Sequence, residues 1–417
     1  MNKHKFIEKQ ILLLGLISKP DAPTELGVAW RWAEAYASAG HVVTLVTHTS
    51  QKAHYADFKI PKNIRVVFVG RNVKFQANPA SLLQAVGLML AALDWCRSVI
   101  FWAKREKIDF YFVHHPSISS VRLPSPLFGL TGSRYWGPLG GGHLGELRGL
   151  KLNNLTYEFV RNVSIYSLTM LSKLIMPKRV RIGLTALATN DATEKLLNKV
   201  GFEKVIFEVS DGIYPPKMST LNEKNLGFED SQKRIIWAGR LVGSKRPRVA
   251  VLAVNELVKM GWSAQLDFYG SGDPSTLNSL ARELGVGKNI NFMGPVSWNN
   301  LMNSLSKYDI TLFTSGRDSS SPFLLESLYS GVKCVAIRTQ VVQSIFPENL
   351  VAGPRSQGES DNVLALQIAQ EIHSWLLRPE QEKIEVLRQG YVFAQSQTWE
   401  QKAKRILALR DETRPSI

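Results

Sequence analysis

Short apolar runs alternate with helix-length segments along almost the whole chain, and this alternation limits the fold more than any other feature. In the N-terminal half, apolar runs at 11–17, 42–46, 64–69 and 109–113 flank helical patterns at about 25–39 and 82–104. In the C-terminal half, runs at 234–237, 264–269, 289–292 and 310–313 alternate with helical patterns at 247–260, 276–284 and 298–307. Strands and helices in this order and of this length give parallel sheets with helices on both faces. A chain of 417 residues exceeds one ordinary core,. The expectation is therefore an α/β protein with two Rossmann-like, doubly wound lobes facing a cleft. The boundary falls where Gly212-Ile213-Tyr214-Pro215-Pro216 opens a polar, pattern-free stretch,. This gives an N-terminal domain at 1–212, a C-terminal domain at 213–395, and a last helix at 396–417 packing back toward the first.

Lys3, Lys5 and Lys9 ahead of the run at 11–17 imitate a secretory leader, but Ser18-Lys19-Pro20-Asp21 offers no small-residue cleavage site,. The run reads as a first buried strand. Cys96 and Cys334 lie inside apolar runs, as buried thiols of a reducing compartment, with no metal-binding spacing,. Residues 1–210 carry 27 Lys and Arg against 14 Asp and Glu, a net +13 of the chain's +16. A basic half suits anionic lipid or a phosphorylated substrate. Nucleic acid is disfavoured, because no helix-turn-helix, zinc-finger or RNA-binding signature accompanies the charge.

The stretch 313–326 reads Phe-Thr-Ser-Gly-Arg-Asp-Ser-Ser-Ser-Pro-Phe-Leu-Leu-Glu, placing Asp318 and Glu326 across a Ser/Pro turn between a strand and a helix that Gly331 closes. Loops at the C-terminal ends of parallel strands are where open α/β sheets bind ligands, and helix starts bind anions. Asp318 at the loop and Glu326 in the first helical turn suit a molecule with both phosphates and sugar hydroxyls. The bland alternatives are a capping Asp318 and a Glu326 that complements the helix dipole.

Gly239-Arg240-Leu241-Val242-Gly243-Ser244-Lys245 likewise follows a strand and opens a helix. Its glycines let the backbone approach a phosphate, and Arg240 and Lys245 can neutralise a diphosphate. Gly270-Ser271-Gly272 and Met293-Gly294-Pro295-Val296 add two more glycine turns at strand ends.

The order Gly239-Arg240-Leu241…Lys245, Tyr269-Gly270-Ser271-Gly272-Asp273, Phe292-Met293-Gly294-Pro295-Val296 and Asp318-x7-Glu326-x4-Gly331 resembles glycosyltransferase family 4. These are retaining enzymes of the GT-B fold. The family's usual Glu-x7-Glu has Asp first here, and Ser319, Ser320 and Ser321 stand where Phe-Gly is common. Glu25-Leu26-Gly27 ahead of Gly40-His41-Val42 is similar to the family's first βα unit, with Ala22-Pro23 replacing its usual Gly-Gly. His114-His115-Pro116, Arg122-Leu123-Pro124 and Trp136-Gly137-Pro138-Leu139-Gly140-Gly141-Gly142-His143 look like a branch acting on bacterial surface polysaccharides.

The resemblance implies a UDP- or GDP-hexose donor and no cofactor or metal. Arg240 and Lys245 would bind the diphosphate and offset charge on the leaving nucleotide. Glu326 would accept from the ribose hydroxyls, Asp318 from the donor sugar, and the backbone at Val296 would hold the nucleobase. Gly239, Gly270, Ser320, Ser321, Phe323 and Leu324 complete the donor side. Glu25, Gly27, Arg122, Gly140, Gly141, Gly142 and His143 would form the acceptor or phosphate side. His115, expected just past a strand end, is either a cleft-facing catalytic group or a packed core histidine.

The acceptor implied is a lipid-linked, lipopolysaccharide or exopolysaccharide glycan. The segment 82–103 is strongly apolar with Asp94 and Arg97 inside it, and reads as a buried crossover helix or a membrane-seated one,. The segment 148–181 mixes Lys151, Arg161, Lys173, Lys178, Arg179 and Arg181 with apolar residues, a pattern suited to an anionic membrane surface,. The expected location is cytoplasmic, peripheral on the inner face of the cytoplasmic membrane. A nucleotide-sugar epimerase or glycoside phosphorylase is disfavoured by the acid pair and the lack of a pyridoxal-phosphate lysine motif. A catalytically weak GT-B scaffold that binds a nucleotide or a partner glycosyltransferase stays open.

Overall fold

The computed structural model describes residues 10–20, 22, 26–75, 82–106, 110, 112–116, 123–140, 163, 183–207, 212–214, 232–316, 318, 321–356 and 358–411. Among them, those before 145, those from 183 to 212 and those from 399 onward cluster into one compact unit, and 213–398 into a second.

The first unit contains β1 (Gln10–Gly15), α1 (Val28–Ser38), β2 (Val42–His48), β3 (Ile64–Val69), α2 (Leu82–Glu106), β4 (Phe112–His115), β5 (Ser133–Leu139), β6 (Leu184–Ala188), α3 (Asp191–Val200) and β7 (Lys204–Phe207). Its sheet is parallel throughout in the order β3-β2-β1-β4-β5-β6-β7. The apolar run expected to be a buried strand is β1. It pairs with β2 on one side and β4 on the other, so Ile11, Leu12, Leu13 and Leu14 are all buried. A central parallel strand covered on both faces has no use for alternation, which is why the run is continuously apolar. Helix α1 is buried along nearly its whole length, including Trp30, Trp32 and Tyr36. Gly27 precedes it as the N-cap, and any Cβ there would lie 2.0 Å from the Ala22 carbonyl oxygen.

The second unit contains β8 (Gln232–Ala238), α4 (Pro247–Lys259), β9 (Ser263–Tyr269), α5 (Ser275–Glu283), β10 (Ile290–Gly294), α6 (Trp298–Leu305), β11 (Ile310–Phe313), α7 (Pro322–Tyr329), β12 (Lys333–Ala336), α8 (Gln340–Ile345), β13 (Val351–Ala352), α9 (Asp361–Leu376) and α10 (Glu380–Gln395). Its parallel sheet runs β10-β9-β8-β11-β12-β13. One side of this sheet buries Ile235, Phe268, Leu312 and Val335 against Val249, Ala253, Leu364 and Ile368 of α4 and α9. On the other, Ile236, Met302, Leu305, Tyr308 and Val332 form a smaller core.

The last helix, α11 (Trp399–Asp411), belongs to the first unit. Its Trp399 ring meets Trp32 of α1 edge-on at 5.3 Å. The α/β class and the two doubly wound sheets are as the alternation of runs and helices predicts.

Candidate functional site

The chain leaves β8 toward β9 and β10 on one side, whereas β11, β12 and β13 lie on the other. Where the direction of winding reverses, the loops after the two central strands part, and the opening at their carboxyl ends is the usual ligand crevice of such sheets. The loop after β8 is the Gly239–Lys245 motif, and the loop after β11 is the Asp318 motif. Two segments far apart in sequence therefore share one crevice because β8 and β11 are neighbours, with Ile310 and Thr311 in register with Ile235 and Ile236.

The loops are bonded together. Thr314 Oγ1 donates to the Lys245 carbonyl at 2.8 Å and accepts from Trp237 Nε1 at 2.8 Å, and the Gly316 N–H donates to the Ser244 carbonyl at 3.1 Å. Lys245 Nζ lies 2.7 Å from Asp318 Oδ2, with side-chain exposures of 26% and 18%. Asp318 Oδ1 accepts the Ser321 N–H at 3.3 Å. Asp318 thus caps its own turn and holds the lysine; the capping and charged readings of this residue are both realised in one side chain.

Helices α4 and α7 each have proline as their first residue behind a left-handed residue: Arg246 at φ 46°, ψ 49° and Ser321 at φ 48°, ψ 54°. These are the two non-glycine residues with positive φ among the described residues. Such backbone costs roughly 1–2 kcal/mol per residue and concentrates at ligand-binding sites. Arg246 Nη1 and Ser321 Oγ are buried without a hydrogen-bond partner among the described residues. Spacing and composition do not single out Arg246. Its left-handed N-cap position and its approach to Gly316, where a Cβ would sit 3.3 Å from Nε, emerge only from the folded loops.

Arg240 is exposed and forms no ion pair with the described residues, so this loop keeps an exposed cation. Gly239 and Gly270 serve the scaffold. The Gly239 N–H donates to the Tyr269 carbonyl and the Gly270 N–H to the Gly294 carbonyl, both at 2.9 Å, while the Leu241 N–H donates to the Ser271 carbonyl at 2.8 Å. At φ 140°, Gly270 would place a Cβ 1.8 Å from the Gly239 carbonyl oxygen. The three glycine turns are one stitched layer. Val296 follows β10 and is 41% exposed.

Glu326 is the fifth residue of α7. It lies in the second turn rather than the first, too deep to act as a carboxylate for the helix N-terminus, whose influence fades within a turn. Its Oε1 accepts a 2.8 Å hydrogen bond from the Trp298 indole, a partner that nothing in the spacing of the chain announces. Phe323 is half-buried against the smaller core. Leu324 is fully buried, and its N–H donates to the Ser321 carbonyl at 3.0 Å.

The strand carrying His115 is displaced from its expected place. The strand expected at 109–113 is instead β4, Phe112–His115, so both histidines lie inside the sheet. His115 is 4% exposed, with Nδ1 2.8 Å from Ser125 Oγ and its ring 5.5 Å from Trp95. His114 is fully buried, with Nδ1 2.8 Å from the Tyr36 hydroxyl and Nε2 2.6 Å from the Gly137 carbonyl oxygen. Burial lowers both imidazoles to about 3, and for His115 the adjacent His114 adds to the effect. They are neutral packed groups of the core.

Gly140 is described and buried, just past β5. Glu25, Arg122, Gly141, Gly142, His143 and Ser320 lie outside the described residues, as does the basic segment 148–181 apart from Val163. No three His, Cys, Asp or Glu side chains gather as a metal site among the described residues.

Residues 219–385 match the family described as glycosyl transferases group 1. The match lies within the second unit. No curated protein matches the chain in sequence. Several solved structures share its fold. One is WaaG, a glycosyltransferase involved in lipopolysaccharide biosynthesis, at 13% identity and TM-score 0.55 over 96% of this chain and 98% of that one. Another is the sucrose-phosphate synthase of Thermosynechococcus elongatus, at 15% and 0.64 over 97% and 98%. A third is Anabaena Alr3699/HepE, solved with UDP and glucose, at 13% and 0.57 over 97% and 100%. The fold is that of the GT-B glycosyltransferases, and the crevice between β8 and β11 lies inside the matched domain.

Proposed function

We propose that this chain is a retaining, family 4-type glycosyltransferase that moves a hexose from a UDP- or GDP-sugar to a lipid-linked, lipopolysaccharide or exopolysaccharide glycan. The observation that carries this reading is the convergence of Lys245, Asp318 and the α4 and α7 N-termini at the switch point of the second sheet. Arg240 and Lys245 hold the donor diphosphate, and Lys245 passes from Asp318 toward the phosphates as they arrive. Asp318 then accepts from the sugar hydroxyls and Glu326 from the ribose. The bond from the sugar's anomeric carbon to phosphate breaks, and the acceptor oxygen bonds that carbon on the same face. The acceptor proton goes to a leaving phosphate oxygen, so no side-chain base is needed, in keeping with the burial of His115. The cations stabilise charge as it develops on the nucleotide, commonly a large catalytic contribution. Gly27 and Gly140 of the first unit belong to the acceptor side in this reading.

A panel of nucleotide sugars in thermal shift tests it. The true donor should stabilise the protein by about 2.7 kcal/mol at a hundred times its Kd. It should be hydrolysed slowly, releasing UDP or GDP. Glu326→Ala should weaken donor binding roughly 10- to 100-fold, the worth of hydrogen bonds to a charged group. Nucleotide binding without turnover on any donor or acceptor would instead make the chain a scaffold.

The same reading places the protein on the inner face of the cytoplasmic membrane. Residues Leu83–Glu106 are long and apolar enough to cross a membrane. However, Leu88, Ala92, Trp95, Val99 and Trp102 of α2 are core residues of the first unit. The opposite stripe, Leu83, Val86, Leu90, Leu93 and Phe101, is 40–82% exposed. Beside Phe101, a groove of about 590 Å3 between α2 and the edge strand β3 is lined by Arg65, Arg97 and Arg105. An apolar stripe bordered by cations matches an anionic bilayer surface. The protein should sediment with anionic vesicles and not with neutral ones. Leu90→Ser with Phe101→Ser should abolish this binding while leaving thermal stability nearly unchanged, because both side chains are exposed. Failure of the native chain to bind anionic vesicles at low salt would sink the membrane reading.

A further inference from the structure

We infer that Trp298 is a positioning residue for donor recognition, acting through Glu326. The inference rests on the assignment of Glu326 to the donor's ribose. Trp298 is the first residue of α6, just beyond Ser297, whose Oγ accepts the Asn300 N–H at 3.2 Å and fixes the start of the helix. The indole is half-buried and packs against the small core of Ile236, Met302 and Leu305. Its other neighbour is Tyr214, edge-on with ring centroids 6.3 Å apart at 69°. Wedged this way, the ring holds its only polar atom toward a residue 28 positions away, giving the 2.8 Å bond to Glu326 Oε1.

An indole N–H donates and cannot accept, and an ionised carboxylate has about four acceptor sites. The bond therefore orients the carboxylate while occupying only one of those sites,. A long side chain otherwise loses rotamer freedom when a ligand binds, and preorganisation removes that cost. Since Trp298 acts on one carboxylate, its influence should fall on the ribose-dependent part of donor affinity. Acceptor KM and the diphosphate contribution, which belong to other residues, should not move.

The experiment is calorimetric titration of the full chain with UDP, GDP and their 2′,3′-dideoxy counterparts. In the native protein the better-bound ribonucleotide should exceed its dideoxy form by at least about tenfold, the worth of one or two hydrogen bonds to a charged acceptor. Glu326→Gln should erase most of that ratio. Trp298→Phe, which keeps a ring but removes the N–H, should shrink it three- to tenfold, raise the donor KM and leave acceptor KM unchanged. The double variant should show little further loss, the coupling expected of residues that act as a unit. If Trp298→Phe keeps the full ratio while Glu326→Gln loses it, the positioning role is wrong and the ribose assignment stands. If the native protein shows no ratio, the ribose assignment fails and takes the inference with it. Should Phe at this position impair folding, Trp298→Met is read by the same ratios.

Discussion

Replacing Lys245 with alanine should lower kcat/KM for glycosyl transfer by about 10²- to 10³-fold while moving thermal stability by only about 1 kcal/mol. The contrast follows from where the ammonium sits. Its partner Asp318 is 2.7 Å away, but both side chains keep contact with solvent, at 26% and 18% exposure. A half-screened ion pair adds little to folding. In the proposed transfer, the same ammonium beside a departing nucleotide would meet a charge that grows along the reaction, where a preplaced cation is worth several kcal/mol. Lys245→Ala also leaves the Asp318 carboxylate facing the diphosphate uncompensated, which deepens the loss. Lys245→Arg should recover only part of the rate, because a planar fork does not replace a point charge held by a loop carboxylate,. Arg240→Ala should cost less, about tenfold, as an exposed guanidinium is better screened. Steady-state kinetics on the natural donor, with circular dichroism to confirm folding, decide the matter. A Lys245→Ala protein within threefold of native activity would remove the diphosphate role.

The first unit should be acid-labile, and two histidines should set the pH. His114 and His115 sit inside β4 with their imidazoles lowered to about 3 by burial. An unfolded histidine has a pKa near 6.5. Between those values the unfolded chain binds protons that the folded one refuses. The stability from keeping these rings neutral is thus complete above about pH 6.5 and is lost as pH falls toward 3. Each group contributes a slope of about 1.4 kcal/mol per pH unit well inside that window. Two together amount to about 7 kcal/mol by pH 4, enough to offset a domain stability at the lower end of the ordinary range of about 5–15 kcal/mol. Hydrogen exchange should show the first-unit strands losing protection between pH 6 and 4 before those of the second unit. His115→Gln should flatten the slope of stability against pH by about half, even if it lowers stability at pH 7. An unchanged slope in that variant would place the acid sensitivity elsewhere.

Much of this molecule is written locally in its sequence. Runs such as 11–17 and 310–313 are apolar without alternation because parallel strands are covered on both faces, and that property needs no knowledge of neighbours. The turn residues mark strand ends of the kind where open α/β sheets bind ligands, so Gly239, Lys245, Asp318 and Glu326 can be picked out as candidates from one dimension. Continuous burial also hides information. With no alternation to reveal a strand's end or its face, the run at 109–113 does not disclose that the strand is Phe112–His115, so His115 reads as a strand-end group instead of a core one. Helix α2 raises the same problem in another form: apolar on every side, it does not disclose which stripe the core covers and which it leaves exposed.

What only the tertiary structure decided is adjacency. Strand order in a doubly wound sheet is not the order of the chain, so β11 lies beside β8 and brings Asp318 onto Lys245 across 73 residues. The same packing presses Gly270 against Gly239, commits Leu324 to the core and aims the Trp298 indole at Glu326. Periodicity and turn chemistry are properties of neighbours along the chain, and they determined the elements and the candidate ligands. Pairing, burial on a chosen face and side-chain hydrogen bonds depend on distance through space, and the folded sheets alone fixed which of those candidates meet.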